Sequence, residues 1–298
     1  MTPGAPAPRP TPAVALTIAG SDSGGGAGIA ADLRTFAMLG VFGTLALTAV
    51  TAQDTTGVHE VLALAPELVD SQIDAVLGDF DVRAAKTGML ATLATIDAIV
   101  ERAARGQLPP LVVDPVMVSS SGARLLAGDD VSAYHRLLGY ACVVTPNLPE
   151  AAALLGHPVA SRAQMRDAAR ELHDLGARYA VVKGGHLDGR DALDVVFDGE
   201  VLVELEAPMV ATANNHGTGC TLSAAITAGL ALGHEPLDAI GEAKRYVSAA
   251  VAAASSWRLG AGHGPLDHLL GQPGWSSQPP RTGDTARHDR AGQGGSAR

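Results

Sequence analysis

Aromatic side chains are nearly missing from this 298-residue chain, where Phe, Trp and Tyr make up 3%. The 47% apolar content must therefore build its core from Ala, Val, Leu and Ile. The same shortage argues against a stacking platform for single-stranded nucleic acid. Cysteine is also scarce: Cys142 and Cys220 supply neither a disulfide framework nor a zinc quartet, and the expected compartment is the reducing cytoplasm. Charged residues reach only 17%, below the usual share of about a quarter. Lysine occurs only at Lys86, Lys183 and Lys244, and Arg carries the remaining basic charge. A net charge of −10 opposes a general electrostatic hold on nucleic acid or an anionic membrane. No apolar run approaches the ~18 residues of a membrane span, and the opening MTPGAPAPRPTPA lacks a secretory apolar stretch. Glycine and proline are plentiful (35 and 18), which with the apolar content excludes a coiled coil and wholesale disorder.

Composition divides the chain into three parts. Residues 1–12 are Pro-rich, and 271–298 are rich in Gly, Pro, Ser and Arg; both are expected to be disordered tails. The body, 13–270, shows no linker or internal repeat and is expected to form a single domain. It alternates short β-branched runs with amphipathic stretches. Strands are predicted at 14–18, 44–52, 58–64, 82–86, 111–115, 141–145 and 179–185. Helices are predicted at 27–39, 66–77, 92–104, near 131–138, and at 148–155, 161–175, 217–232 and 236–256. Asp198-Gly199 is the expected turn of a hairpin between Val195–Phe197 and Val201–Leu205. Such alternation predicts an α/β three-layer sandwich, with a mainly parallel central sheet and helices on both faces. Ligands of these sheets bind beyond the carboxyl ends of the strands.

The chemistry-bearing motifs fall at those ends. AGSDSGGGAGIAADL joins the first strand to a helix through glycines that let backbone approach a ligand. Gly26-x-Gly28-x-x-Ala31 also fits a dinucleotide fingerprint, though no acidic residue follows at the end of a second strand and no P-loop lysine is present. NNHGTGCTLSAA opens a long small-residue helix, and successive N–H groups of Gly217, Thr218, Gly219 and Cys220 form an anion hole. A transferring phosphoryl group develops charge that such a hole stabilises. Cys220, in the first turn, is expected to have a lowered thiol pKa and to take a proton from a substrate hydroxyl. In TPNLPE, Asn147 and Glu150 either face a hydrated Mg²⁺ or form a capping box. VVKGGHL places Lys183 beside Gly184 and Gly185, as a phosphate contact or a surface lysine before a turn. Asp114 ends the LVVDP strand, available to Mg²⁺ or to a loop, and His186 and His216 are candidate ligands of substrate or phosphate.

Seven ordered segments, LTIAGSDSGGGAGIAADLRTF, TAVTAQDTTGV, AAKTGML, VVDPVM, TPNLPEA, VVKGGH and NHGTGCTLSAAI, resemble the bacterial hydroxymethylpyrimidine/phosphomethylpyrimidine kinases of the ribokinase-like superfamily, as does GHGPLDHL at 262–269. The resemblance covers about 14–270. It departs at Asn215, where Thr is usual, and at Ser23, where Pro is common. The resemblance implies two successive transfers of the ATP γ-phosphoryl group, to a hydroxymethylpyrimidine and then to its monophosphate, for thiamine synthesis. It implies that the acceptor ring lies near Gly20, Ala27, Asp32, Gln53, Met89, Val116 and His216, with Gln53 on the aminopyrimidine edge. Asn147, Gly185, Thr218 and Lys183 would serve ATP, and Asp114 and Glu150 Mg²⁺. Catalysis would rest on Gly217 to Gly219, Lys183 and Cys220. A homodimer is expected, with no nucleic-acid or membrane partner. The alternatives are pyridoxal/pyridoxine kinase of the same superfamily or a dual-activity enzyme, then a nucleotide oxidoreductase or a non-catalytic ligand-binding domain.

Overall fold

A computed structural model describes residues 10–117, 131–185, 187 and 191–271. The two tails therefore lie almost wholly outside the described residues, as does His186; residues 10–12 are exposed and without regular structure. Strands β1 (Val14–Ala19), β2 (Phe42–Leu47), β5 (Val82–Thr87), β6 (Leu111–Val113), β7 (Ala141–Val144), β8 (Tyr179–Lys183), β9 (Asp191–Phe197) and β10 (Leu202–Pro208) form one eight-stranded sheet, in the order β10-β9-β8-β7-β6-β5-β1-β2. From β2 to β8 every pairing is parallel, and β9 and β10 close the far edge antiparallel. Strands β3 (Ala49–Gln53) and β4 (Val58–Ala63) form a separate two-stranded arm.

Both faces of the sheet are covered, which explains why its strands read as continuous apolar runs. Leu111 and Val113 face one way, into a core with Leu16, Ile18, Val69, Ile73, Ile96 and Leu172 under helices α2 (Pro66–Asp79), α3 (Leu93–Ala104), α4 (Ser132–Leu138), α5 (Leu148–Leu155) and α6 (Arg162–Asp174). Val112, Val143, Val181 and Val196 face the other way, against Leu222 and Ile226 of α7 (Thr218–Ala231) and Ile240 of α8 (Pro236–Ala253). On that side Ala15 and Ala84 also meet Phe36 of α1 (Gly28–Met38) and Ala224 and Ala228 of α7. Small residues on α7 let it lie close to the sheet; most of its length is buried. This is the expected three-layer sandwich.

Local signals set most element ends. Pro66 and Pro236 stand in first turns, where no N–H is required. Thr92 and Ser161 cap α3 and α6 with side-chain oxygens. The hairpin turn falls at Asp198-Gly199, where Asp198 accepts from the N–H groups of Glu200 and Val201 and Gly199 takes a φ of 98°. One expectation fails: 44–52 is two strands in two sheets, not one. Thr48, fully buried, donates its N–H to Ala19 O and its hydroxyl to Met89 O (3.0 and 2.6 Å). These bonds turn the chain away from the main sheet where β1 ends, so β3 can pair only with β4.

Candidate active site

Two glycine loops meet beyond the carboxyl ends of the central strands. The first, Gly20–Ala27, links β1 to α1 and is organised by Asp22. Asp22 Oδ1 accepts from Gly24 N–H (2.8 Å), and Oδ2 accepts from Gly26 and Ala27 N–H (3.0 and 2.8 Å). The second loop, Asn214–Gly217, enters α7. Gly217 is its N-cap with a φ of 87°, a conformation that favours glycine. A Cβ on Gly217 would lie 1.9 Å from Gly26 O, so the loops touch backbone to backbone. His216 extends the contact, with Nε2 donating to Asp22 Oδ2 at 2.8 Å and lying 3.3 Å from Gln53 Nε2.

Between the loops lies a cavity of about 200 Å³. Gly20, Ala27, Gln53, Met89, Val116, His216 and the Gly217–Cys220 turn line it, together with Asp114, Asn147, Glu150 and Lys183. Met89 and Val116, packed with Ala49 and Ala91, form its apolar side. Gly20 is small for a reason: a Cβ there would lie 2.2 Å from Met89 Cε. A second cavity, about 260 Å³, lies between β9, the 208–212 segment and α8. Asn147, Lys183, Asn215, Thr218 and Gly219 line both cavities, so the first turn of α7 is their shared wall. Gly185 lines only the second.

Charge is concentrated beside that wall, on the side of the first cavity. Lys183 Nζ lies 2.9 Å from Asp114 Oδ1 and 4.0 Å from Glu150 Oε2. A Cβ on Gly219 would come within 3.0 Å of the same ammonium, which therefore lies close over the start of α7. Burial works against the Lys183 charge, but the Asp114 and Glu150 carboxylates outweigh it and hold the pKa above the ordinary lysine range. Burial likewise opposes the Asp114 charge, and Lys183 and Lys86 overcome it, so Asp114 stays ionised. Glu150 is different: burial pushes its carboxyl up to about 7 despite Lys183. The two readings of Asn147 and Glu150 coexist. They form the capping box, each at 2.8 Å, and Glu150 also lines the first cavity.

Two residues depart from expectation. Cys220 lines the cavity, yet burial pushes its thiol up to about 11, against the pull of Lys86. Desolvation of a thiolate outweighs the helix terminus and the hydrogen bond from Gly28 N–H. Asp32 lines neither cavity. It is fully buried one turn into α1, between Thr17 Oγ1 (2.7 Å) and Lys86 Nζ (2.8 Å), because a buried lysine demands a carboxylate. Sequence reasoning passed over Asp22, Lys86, Asn215 as a lining residue, and Ser223, which donates to Asp114 Oδ2. An Asp ahead of a glycine run is an Asx-turn signal and marked Asp22; the others are set by distant packing.

The family model described as Phosphomethylpyrimidine kinase matches residues 22–267. The chain belongs to this family. Within the family's sequence range it is 51% identical over 249 residues to the hydroxymethylpyrimidine/phosphomethylpyrimidine kinase of Rhizobium meliloti, covering 83% of this chain and 93% of that protein. It is 47% identical over 248 residues to the thiamine biosynthesis bifunctional protein ThiED of Geobacter sulfurreducens, covering 83% of this chain and 50% of that longer protein. Among solved structures, the pyridoxal kinase of Staphylococcus aureus in complex with AMP-PCP and pyridoxal superposes with a TM-score of 0.79 at 37% identity, covering 88% of this chain and 95% of that one. The ribokinase-like fold and kinase chemistry of the family agree with two cavities that share a wall at the first turn of α7.

Proposed function

We propose that this kinase transfers the γ-phosphoryl group of ATP to 4-amino-5-hydroxymethyl-2-methylpyrimidine, and then a second one to the resulting monophosphate, in thiamine biosynthesis. The observation that carries the reading is the junction of the two cavities at Thr218, Gly219 and Lys183. The acceptor alcohol occupies the first cavity, with its ring on Met89 and Val116 and its edge toward Gln53. The nucleotide occupies the second, with Asn147, Gly185 and Thr218 along its path. Its terminal phosphoryl group then meets the acceptor oxygen over the first turn of α7. The N–H groups there bind charge that grows as the phosphoryl group transfers, with no reorganisation at the moment of reaction. Lys183 holds a full positive charge at the same point. Cys220 accepts the hydroxyl proton, and its high resting pKa makes that step dependent on alkaline pH.

Asp114 and Glu150 offer hard oxygen donors in the first cavity, beside Lys183 of the shared wall, which suits Mg²⁺, an ion held by one or two carboxylates plus substrate phosphates. No cluster of three or more His, Cys, Asp or Glu is needed for that, and none is found among the described residues. Bound there, Mg²⁺ would neutralise phosphate charge. The exposed face of the β3–β4 arm, with Val50 paired to Leu62, supports a homodimer. The free thiols of Cys142 and Cys220 support a cytoplasmic setting, and no helix among the described residues is long and apolar enough to cross a membrane.

The second reading, pyridoxal phosphorylation, is favoured by the likeness to a pyridoxal kinase. One assay separates them. Purified protein is given Mg-ATP with each alcohol, and mono- and diphosphate products are resolved chromatographically. The pyrimidine should yield both products. Turnover of pyridoxal alone would overturn the reading.

A further inference from the structure

We propose that the Lys244–Asp194 ion pair selects the base of the nucleotide, favouring a 6-amino purine over a 6-oxo purine. The proposal rests on the nucleotide reading of the second cavity. Lys244 Nζ lies 2.9 Å from Asp194 Oδ2, and both side chains line that cavity although only 11% and 9% exposed. Lys244, Val247, Ser248 and Val251 follow the i, i+3, i+4, i+7 spacing of one helix face, so α8 turns a lysine and two valines to the same space. Met209, Val210 and Leu222 add apolar surface around them. Phosphoryl transfer makes no use of this pair, and a buried ion pair is weak evidence of a purely stabilising role.

What the pair offers is a donor and an acceptor side by side. An ammonium has three donors, and among the described residues Asp194 takes one of them, which leaves two for a ligand. Asp194 Oδ1 meets Gly184 N–H at 3.3 Å, and that N–H is shared with Leu193 O at 2.9 Å, so the carboxylate keeps acceptor capacity. The hydroxyls nearby are committed: Ser248 donates to Lys244 O at 2.8 Å, and Thr212 accepts from Asn214 N–H at 3.1 Å. The pair has no net charge and so no general hold on phosphate. Against apolar walls it fits a neutral heterocycle. An adenine edge sets an amino donor beside a ring-nitrogen acceptor, which matches Asp194 and Lys244 in turn. In the same pose a 6-oxo purine points an oxygen at the Asp194 carboxylate, and the mismatched polar groups penalise it.

Calorimetric binding of ADP and of inosine diphosphate, its 6-oxo counterpart, tests this without turnover. ADP should bind about tenfold or more tighter, the scale of a hydrogen bond to a charged group. In Asp194→Asn the amide can accept from an amino group or donate to an oxo group, so the two nucleotides should come within about threefold of each other. Lys244→Gln should narrow the ratio in the same way. A pair that only braced α8 against β9 would weaken both nucleotides equally in these variants; that unchanged ratio would overturn the proposal, as would a wild-type ratio near one. Should the single variants fail to fold because one charge is left buried, Asp194→Asn with Lys244→Gln leaves none, and it reads the same ratio. Val251→Trp, which fills the second cavity, tells the two readings apart. ADP binding untouched by it would mean that the nucleotide lies elsewhere, and the nucleotide reading would fail. ADP binding lost in it, with a ratio that the pair variants do not move, would sink base selection alone.

Discussion

Lysine is rare here because each one is placed. Lys86 pairs with Asp32, Lys183 with Asp114 and Lys244 with Asp194, at 2.8, 2.9 and 2.9 Å, and all three are largely buried. Ion pairs on the surface use Arg, as in Arg162 with Glu204 and Glu206. A compact ammonium fits beside backbone where a planar guanidinium would not. Lys183→Met is expected to lower kcat about 10²–10³-fold, as loss of one charge-stabilising donor does. It should also lower the melting temperature by leaving Asp114 buried and unpaired. Adding Asp114→Asn should restore part of the melting temperature but none of the activity, a distinction read from thermal melts and steady-state kinetics. Cys220 makes a pH prediction. A base with a pKa of about 11 is active only when deprotonated, so kcat should rise nearly tenfold per pH unit from 7 to 10. Cys220→Ala should lose about 10²–10⁴-fold of the alkaline rate and flatten that rise. A wild-type profile already flat would leave the anion hole to carry catalysis without a thiol base.

The C-terminal segment after α8 behaves as an element of the site without regular structure. Ala261 and Gly262 donate to Thr55 Oγ1, and His263 N–H donates to Thr55 O, which fastens the turn of the β3–β4 arm. Gly264 O accepts from His216 N–H, and Asn214 Nδ2 donates to Ala254 O and Trp257 O, which fastens the second glycine loop. Further along, His268 Nε2 lies 3.0 Å from Thr221 Oγ1, and Tyr246 donates to His268 O. Burial, reinforced by Arg34, lowers the His268 pKa to about 4. A histidine with a depressed folded pKa contributes full stability above its unfolded value near 6.5 and loses it as pH falls toward 4. Thermal melts should therefore drop across that window, and His268→Gln should flatten the drop. Equal slopes in both proteins would show that another group controls acid unfolding. The GHGPLDHL segment was recognisable in the sequence only as a likeness; that it ties arm and loop together depends on contacts across about two hundred residues.

On the scale of the whole molecule, the proposed phosphate site of an acidic chain works because anion binding is local. Net charge acts over distances that salt screens, whereas in the proposed site the N–H groups of Gly217–Gly219 and the Lys183 ammonium would act at contact range inside a partly closed cavity. The β3–β4 arm gives the homodimer proposal its test. Leu62→Glu on the exposed arm face should convert a dimer to a monomer in light scattering coupled to size exclusion, at unchanged melting temperature if the arm itself stays folded. A wild-type monomer at micromolar concentration would end the proposal.

Periodicity and turn chemistry, both local properties, made the alternation of strands and helices, the Asp198-Gly199 hairpin and the proline-led starts of α2 and α8 readable from residues alone. The motifs also lay at strand ends, where the topology of a parallel sheet puts ligands, and most of the candidate residues line one of two adjoining cavities there. What local sequence does not carry is the partner of each segment and the solvent left around each group. The apolar run 44–52 has one period, and only the hydrogen bonds of Thr48 to Ala19 and Met89 divide it between two sheets. The first turn of a helix lowers a thiol pKa, but burial among Gly28, Lys86 and Asp32 reverses the sign for Cys220. Asp32 and Asp22 lie on the same glycine loop and helix, yet Lys86 claims one and His216 the other. Desolvation and long-range pairing are properties of the packed molecule, and there the tertiary structure decided.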